Sequence, residues 1–214
     1  MHINKSYYIL FLMFFCCFSA LAQETENETE TRTSFTLSTK PVKNLRLSFS
    51  PELRFDENFS LDKYFLEGKA RYKVSKHLSF DAGYRFYANE RDNKDTEYYS
   101  RYELGTKLER WIWRIESSLK VSYTNNSDDD EDGKFLRYRA KLKYDIKKCK
   151  FTPYLGAEAF HQLNESDLHK MRYFVGVDYK LRKKNFLCFN YKFDYFMNEY
   201  KNKHILSIGY KLKF

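Results

Sequence analysis

The feature that most constrains this chain is an alternation of apolar and polar side chains that recurs from residue 45 to the C-terminus. In the segment 136–146, Leu, Tyr, Ala, Leu, Tyr and Ile alternate with Arg, Arg, Lys, Lys and Asp. A period of two residues is the repeat of a β-strand, whose successive side chains point to opposite faces. The same pattern is present in segments 45–55, 64–74, 78–87, 98–109, 111–123, 151–160, 171–181, 187–196 and 204–214. The chain is therefore predicted to be all-β.

The length of these segments indicates strands that cross a bilayer. Most run for about ten to twelve residues, close to the roughly 9–11 that a tilted strand needs to span the hydrocarbon core. Strands of soluble proteins are shorter, typically about five or six residues. The 20 Phe and 19 Tyr also favour a membrane protein, because aromatic residues form girdles where a barrel meets the two interfaces. A soluble, exported lipocalin-like barrel is less favoured, because the apolar faces of these strands would form its exterior and such a surface would not be soluble without detergent.

The connections between the segments alternate in length. Short ones lie near residues 75–77, 109–110, 147–150 and 182–185, and longer polar ones span 56–60, 89–96, 125–134, 162–169 and 198–202. Short periplasmic turns that alternate with longer extracellular loops are typical of outer-membrane barrels. We therefore predict an antiparallel, up-and-down transmembrane β-barrel of about ten strands. Residues 34–40 form a further, weaker strand candidate that would make eleven. Twelve strands are the alternative, if residues 23–40 supply two more strands.

The N-terminus has the layout of an export signal. Lys5 precedes an apolar run over residues 7–18, and Ala20-Leu21-Ala22 forms a small-residue cleavage site. We predict a cleaved signal peptide over residues 1–22, a flexible polar segment over 23–33 and the barrel domain over 34–214. Cys149 and Cys188, the two cysteines that follow the signal, have opposite strand parity, so no disulfide is expected.

The C-terminal strand ends on an aromatic residue. This strand resembles the signature that the outer-membrane insertion machinery reads, with apolar residues two, four and six positions before a terminal aromatic. The residues that carry this resemblance are Leu206, Ile208, Tyr210, Leu212 and Phe214. The expected location is the outer membrane, with the lipid bilayer, lipopolysaccharide and the insertion machinery as partners. The barrel is expected to be a monomer.

Three short stretches carry a family resemblance. They are Pro51-Glu52-Leu53-Arg54-Phe55, Leu136-Arg137-Tyr138-Arg139 and Pro153-Tyr154-Leu155-Gly156-Ala157-Glu158. In these stretches the chain resembles a family of small Gram-negative outer-membrane β-barrels known only as a domain of unknown function. The resemblance implies a fold and a location, and it implies no activity.

The face opposite the apolar one is predicted to line the lumen. Its charged residues of interest are Arg54, Glu67, Lys69, Arg71, Arg85, Arg101, Glu103, Arg114, Glu116, Arg137, Arg139, Glu158, Arg172 and Asp178. Across the strands, inward bases outnumber inward acids. Two interpretations stay open: the charges pair and fill a structural barrel, or the surplus positive charge lines a small passive pore that prefers anions.

Other functions have less support. Export and the spread of positive charge along the strands, with a net charge of +9, argue against nucleic acid, and no cofactor motif is present. Asp128, Asp130 and Asp132 have the spacing of a calcium loop, but Arg139 occupies the position of its final Glu, so only a looser divalent site is conceivable. A surface-binding barrel that acts through its loops is one alternative. A lipid-modifying enzyme that uses His161 and His169 is another, although no nucleophile motif accompanies them.

Overall fold

The structure, a computed structural model, describes residues 26–89, 96–126, 132–164, 167–197 and 201–214. The predicted signal peptide lies outside the described residues. The strands are β1 (Glu26–Val42), β2 (Leu45–Phe55), β3 (Leu61–Lys73), β4 (Leu78–Asn89), β5 (Glu97–Ile112), β6 (Ile115–Asn126), β7 (Asp132–Tyr144), β8 (Phe151–Gln162), β9 (Asp167–Lys180), β10 (Asn185–Phe196) and β11 (Lys201–Lys213). Within the described residues, no helix is long and apolar enough to cross a membrane.

The strands form one closed barrel in chain order. Each strand pairs antiparallel with the next one along the chain, so the predicted all-β, up-and-down barrel is confirmed. The ten predicted strands correspond to β2–β11, and the eleventh strand, β1, pairs parallel with β11 to complete the closure. Parallel pairing at the seam follows from the odd strand number, because β1 and β11 then run in the same direction.

β1 begins earlier than the sequence pattern suggests. A flexible segment is predicted over residues 23–33, but residues 26–33 form the first half of β1. Its outward positions there are Thr29, Thr31 and Thr33, whereas Glu30 and Arg32 are buried inside the barrel. Threonine is β-branched and favours strands without making an apolar face, and pairing with both neighbours satisfies the backbone that an open sheet would expose.

The two ends of the barrel carry different connections. Residues 43–44, 74–77, 113–114, 145–150 and 181–184 join strands at what we call the turn end, and residues 56–60, 90–96, 127–131, 163–166 and 197–200 join them at the loop end. The strands extend into several segments predicted as long loops; for example, β6 runs to Asn126 and β7 begins at Asp132. Ladder hydrogen bonds favour this extension, so the two sets of connections differ in length less than predicted.

The two faces of the wall differ in chemistry as the alternation predicts. Large apolar side chains such as Leu104, Leu155 and Ile208 are exposed on the outside. Charged side chains such as Arg54 and Glu158 are buried on the inside. Cys149 and Cys188 are both free thiols, in agreement with the expectation that no bridge joins them. A barrel with this inside-out distribution places its chemistry in the interior and at its two ends.

Candidate functional site

The interior is held together by carboxylates that each bind several cations. Glu158 on β8 accepts hydrogen bonds from two arginines of β7. Arg137 Nε lies 2.9 Å from one carboxylate oxygen, and Arg139 Nη2 lies 2.7 Å from the other. Register explains this arrangement, because Glu158 is the direct cross-strand partner of Arg139. A charge-assisted arrangement of this kind is the form in which buried ions are tolerated.

A second carboxylate organises β9 and β10. Arg172 binds Asp194 through two parallel hydrogen bonds, with Nε and Nη2 each 2.6 Å from one carboxylate oxygen. Lys170 Nζ lies 3.6 Å from the same carboxylate. Lys170 and Asp194 are both completely buried. Lys170 and Asp194 were not among the predicted site residues, although Lys170 shares the parity of Arg172 along β9.

Buried aromatic rings fill the space between these cations. The ring of Phe160 has Arg137 Cζ 4.5 Å, Lys170 Nζ 4.9 Å and Arg172 Cζ 5.1 Å from its centroid. On the opposite side of the barrel, Arg54 Cζ lies 3.9 Å from the centroid of Phe65. Cations are attracted to aromatic faces, most strongly where water is excluded. The predicted site residues did not include these rings, although both occupy inward positions of their strands.

The wall formed by β1, β2 and β11 is closed by a network of five charged residues. Arg54 Nε donates to Glu52 at 2.9 Å and lies 3.7 Å from Glu30. Arg32 binds Glu30 directly, and Lys203 Nζ of β11 lies 3.2 Å from the other oxygen of Glu30. The network therefore bridges the parallel seam between β1 and β11. Since β1 was predicted only over residues 34–40, sequence reasoning missed Glu30 and Arg32.

A chain of ion pairs crosses β3–β6. Glu67 binds Arg85 at 2.7 Å and Lys69 at 3.3 Å, and Lys69 lies 3.6 Å from Glu103. Glu103 also binds Lys120. Lys120 in turn lies 3.3 Å from Asp81, which takes a bidentate contact from Arg71. Some pairs join residues of the same strand or of neighbouring strands, whereas Lys69–Glu103 and Lys120–Asp81 each join strands two apart, so the network links β3–β6 across the interior.

The remaining predicted lumen residues are Arg101, Asp178, Glu116 and Arg114. Arg101 is buried on β5 opposite Arg85. Asp178 on β9 accepts from Lys143 Nζ at 3.1 Å. Glu116 is a partly exposed residue of β6 close to the turn end. Arg114 lies in the β5–β6 turn itself, 3.5 Å from Asp145, so the structure places it at the rim of the barrel.

The interior has two layers along its axis. Most of the completely buried side chains of the described residues lie near the loop-end ends of their strands, and the small Ser79 near the turn end is an exception. We call Arg54, Phe135, Phe160, Lys170, Asp194 and Ile205 the buried layer. Toward the turn end, Arg46, Lys141, Lys143, Lys211 and Lys213 are only partly buried; we call them the basic vestibule. Water therefore reaches the turn-end half of the interior more easily than the loop-end half.

The basic vestibule is short of acids. Asp178 is the carboxylate closest to it and interacts with Lys143 and Lys211. Lys141 Nζ instead lies 3.5 Å from the centroid of Tyr154, and Lys213 Nζ lies 4.1 Å from that of Phe186. An aromatic face holds an ammonium group without neutralising its charge. This part of the interior therefore has a surplus of positive charge.

The residues considered for catalysis and metal binding do not converge. His169 is buried with its ring 5.6 Å from those of Phe135 and Phe196, whereas His161 lies on the outward parity of β8 beside Leu136. The two histidines thus face opposite sides of the wall. Among the described residues, no group of three or more His, Cys, Asp or Glu side chains could hold a metal ion. Asp128 and Asp130 lie outside the described residues, and Asp132 begins β7.

Comparisons with known proteins agree with the barrel. The family model described as "Protein of unknown function (DUF2490)" matches residues 30–204. A solved structure of a KdgM porin is similar with a TM-score of 0.50 and 14% identity, over 77% of this chain and 89% of the porin chain. A KdgM porin in complex with disordered oligogalacturonate gives a TM-score of 0.49 and 13% identity, over 77% and 90%. No curated protein matches the chain. At these identities, the likeness concerns the fold.

Proposed function

The chain belongs to the DUF2490 family of proteins of unknown function, which confirms the resemblance read from its sequence, and from its structure we propose that it is a small, passive outer-membrane pore that prefers anions. In this proposal the protein performs no catalysis. The observation that carries it is the basic vestibule, a partly exposed section of the interior that contains five cations and has Asp178 as its nearest carboxylate.

The exterior supports insertion into a membrane. Strands of 11 to 17 residues match or exceed the roughly 9–11 needed to cross the hydrocarbon core at a tilt. Exposed Trp111 and Trp113 lie at the turn end, where a membrane interface is expected. Leu206, Ile208 and Phe214 are exposed on the outside of β11, which leaves them accessible to the insertion machinery. In this orientation the loop end faces lipopolysaccharide, and the barrel acts as a monomer.

The charges of the interior support a selective but narrow path. Fixed positive charge attracts anions and repels cations within a confined aqueous section. The buried layer limits the size of a permeating species, because Phe160 and Phe135 occupy space that a wider pore would leave to water. We therefore expect small unitary currents with anion selectivity, carried between side chains that rearrange locally.

The test is single-channel recording of the refolded protein in a planar bilayer under a salt gradient. Wild type should give small anion-selective steps, and Lys141→Gln/Lys211→Gln should move the permeability ratio toward unity. Lys76→Gln/Lys184→Gln, which removes the same charge from turns outside the interior, should leave the ratio unchanged.

The variant Phe160→Ala distinguishes an interior with an aqueous path from an interior that is completely filled by side chains. Removing the ring that three cations contact should raise the unitary conductance, whereas Phe189→Ala on the outward face should not. Folding is checked by circular dichroism and by heat-modifiable gel mobility. Folded barrels that stay silent with and without Phe160, or that select cations, would contradict the proposed pore.

A further inference from the structure

Two neighbouring turns at the turn end border an open surface cavity lined almost entirely by cations. The cavity has a volume of about 310 Å³ and lies between the β7–β8 turn and the β9–β10 turn. Its lining residues are Lys148, Cys149, Lys150, Lys180, Leu181, Arg182 and Lys183. Five of these side chains are cationic and none is acidic, so the cavity is complementary to an anion.

The backbone holds the two turns side by side. Lys180 N donates to Lys150 O at 2.9 Å, which joins the start of β8 to the end of β9. Within the first turn, Cys149 N donates to Ile146 O at 3.2 Å, and Lys148 has a positive φ of 57°. In the second turn, Leu181 N donates to Asn185 O at 3.0 Å. The cations are therefore brought together by the fold, and their mutual repulsion favours a bound anion that neutralises it.

An apolar groove follows the same strand along the outside of the barrel. Val175, Val177 and Tyr179 continue the outward parity of Leu181 along β9, and Leu181 is itself exposed at the edge of the cavity. The groove has a volume of about 530 Å³, and its outward side chains are Val175, Val177, Phe189, Tyr191, Leu206 and Ile208. Val177 is four residues from Leu181, roughly 13 Å along a strand, which is within the ~15 Å depth of one leaflet's hydrocarbon.

We propose that this surface binds an anionic phospholipid, with the phosphate group in the cation cavity and an acyl chain in the groove on β9–β11. The lipid is favoured over a soluble anion because the cavity and the groove share one strand, and Leu181 joins them. Arg182 can take two phosphate oxygens with its planar guanidinium, and the lysines add point charges. The site rests on the membrane insertion proposed above, but it does not depend on whether the barrel conducts.

The test is native mass spectrometry of the full barrel in a non-ionic detergent, with phosphatidylglycerol and phosphatidylcholine of identical acyl chains. Wild type should retain one phosphatidylglycerol with about tenfold preference, since each cation near a membrane surface contributes appreciably to the binding of anionic lipid. Lys150→Gln/Arg182→Gln should abolish the preference. Lys76→Gln/Arg110→Gln, which removes one lysine from the β3–β4 turn and one arginine from the exposed turn-end part of β5, should keep it. Equal retention of both lipids by wild type, or an equal loss in both variants, would overturn the proposal.

Two further measurements separate the lipid from a soluble anion and from non-specific attraction. Millimolar inorganic phosphate or glycerol 3-phosphate should not displace the bound phosphatidylglycerol, and full displacement would instead indicate a site for free phosphate. Val177→Trp fills the groove without a change of charge and should weaken the retention of phosphatidylglycerol severalfold. Unchanged retention in this variant, with the barrel folded, would overturn the placement of the acyl chain.

Discussion

Two buried carboxylates, Glu158 and Asp194, each compensate the charge of two cations in or beside the buried layer. Glu158 is 2% exposed and provides one oxygen to Arg137 and the other to Arg139. Asp194, which is completely buried, accepts from Arg172 through both oxygens, and Lys170 Nζ lies 3.6 Å from one of them. A buried ion pair contributes little net stability compared with an apolar pair, but removing one partner leaves an uncompensated charge. These two acids are therefore positions at which a neutral substitution is costly.

Glu158→Gln keeps the size of the side chain and removes its charge. Two buried or half-buried arginines then lack their carboxylate, so we expect the free energy of unfolding to fall by about 3–5 kcal/mol. Urea denaturation of the refolded barrel in detergent micelles measures this change. Glu116→Gln, on a partly exposed acid of the neighbouring wall, is the matched control and should cost less than about 1 kcal/mol. Equal losses in the two variants would mean that Glu158 does not anchor the layer.

At the scale of elements, the parallel seam between β1 and β11 is the unusual part of the barrel. Thirteen positions are in register along it, from Glu26 opposite Lys201 to Ser38 opposite Lys213. The seam is reinforced inside by Lys203, which lies 3.2 Å from Glu30. Without β1, β2 and β11 would each present an unpaired edge, which is costly in a membrane.

A cysteine pair tests the seam directly. Thr33 and Ile208 are cross-strand neighbours, so Thr33→Cys/Ile208→Cys in a Cys149→Ser/Cys188→Ser background should form an intramolecular disulfide on mild oxidation. The pair Thr33→Cys/Leu212→Cys is offset by four residues, roughly 13 Å, which is beyond the reach of a disulfide. Gel mobility before and after reduction reports the bond. A barrel that closes through β2 and β11 would give no bond in the first pair.

At the scale of the whole molecule, charge is separated between the two ends. The turn end carries bases on most of its connections, including Lys43, Lys76, Arg114, Lys148 and Arg182. The described part of the loop end is rich in acids, namely Glu26, Glu28, Asp56, Glu57 and Asp62, which surround a cavity of about 350 Å³. This difference in fixed charge makes the barrel electrostatically asymmetric, so that anions and cations experience different fields at its two ends.

The separation of charge between the two ends predicts an ionic current that depends on the sign of the applied voltage and on the salt concentration. We expect rectification in symmetrical low salt, and the anion preference should weaken as the Debye length falls from about 10 Å at 0.1 M to about 3 Å at 1 M. Reversal potentials measured at several mean salt concentrations test this, with the same gradient ratio throughout. A permeability ratio that stays constant over this range would indicate that steric exclusion, and not fixed charge, sets the selectivity.

The sequence alternation alone predicts which side chains face outward and which face inward, but it does not predict which inward side chains contact one another. Alternation predicts that Arg137, Arg139 and Glu158 lie on one face, because side-chain direction follows from the strand repeat alone. Which carboxylate each arginine meets depends on the register between strands, and register in a barrel is set by the closure of the whole sheet. Phe160 is a second example. Its inward direction follows from the strand repeat, but the three cations around its ring come from the two neighbouring strands and could not be predicted from that repeat.

By itself, the sequence determined the fold class and most of the strands, because a period of two residues sustained over long segments is compatible with little except a barrel whose outside is apolar. Only the tertiary structure decided the strand number, the parallel seam and the cation cavity. The outward face of the first half of β1 carries threonines, whereas an apolar face would have predicted a strand there. The pairing of β1 with β11 joins the first and last strands. The cavity joins turns more than thirty residues apart, and such proximity arises only from the packing of β8 against β9.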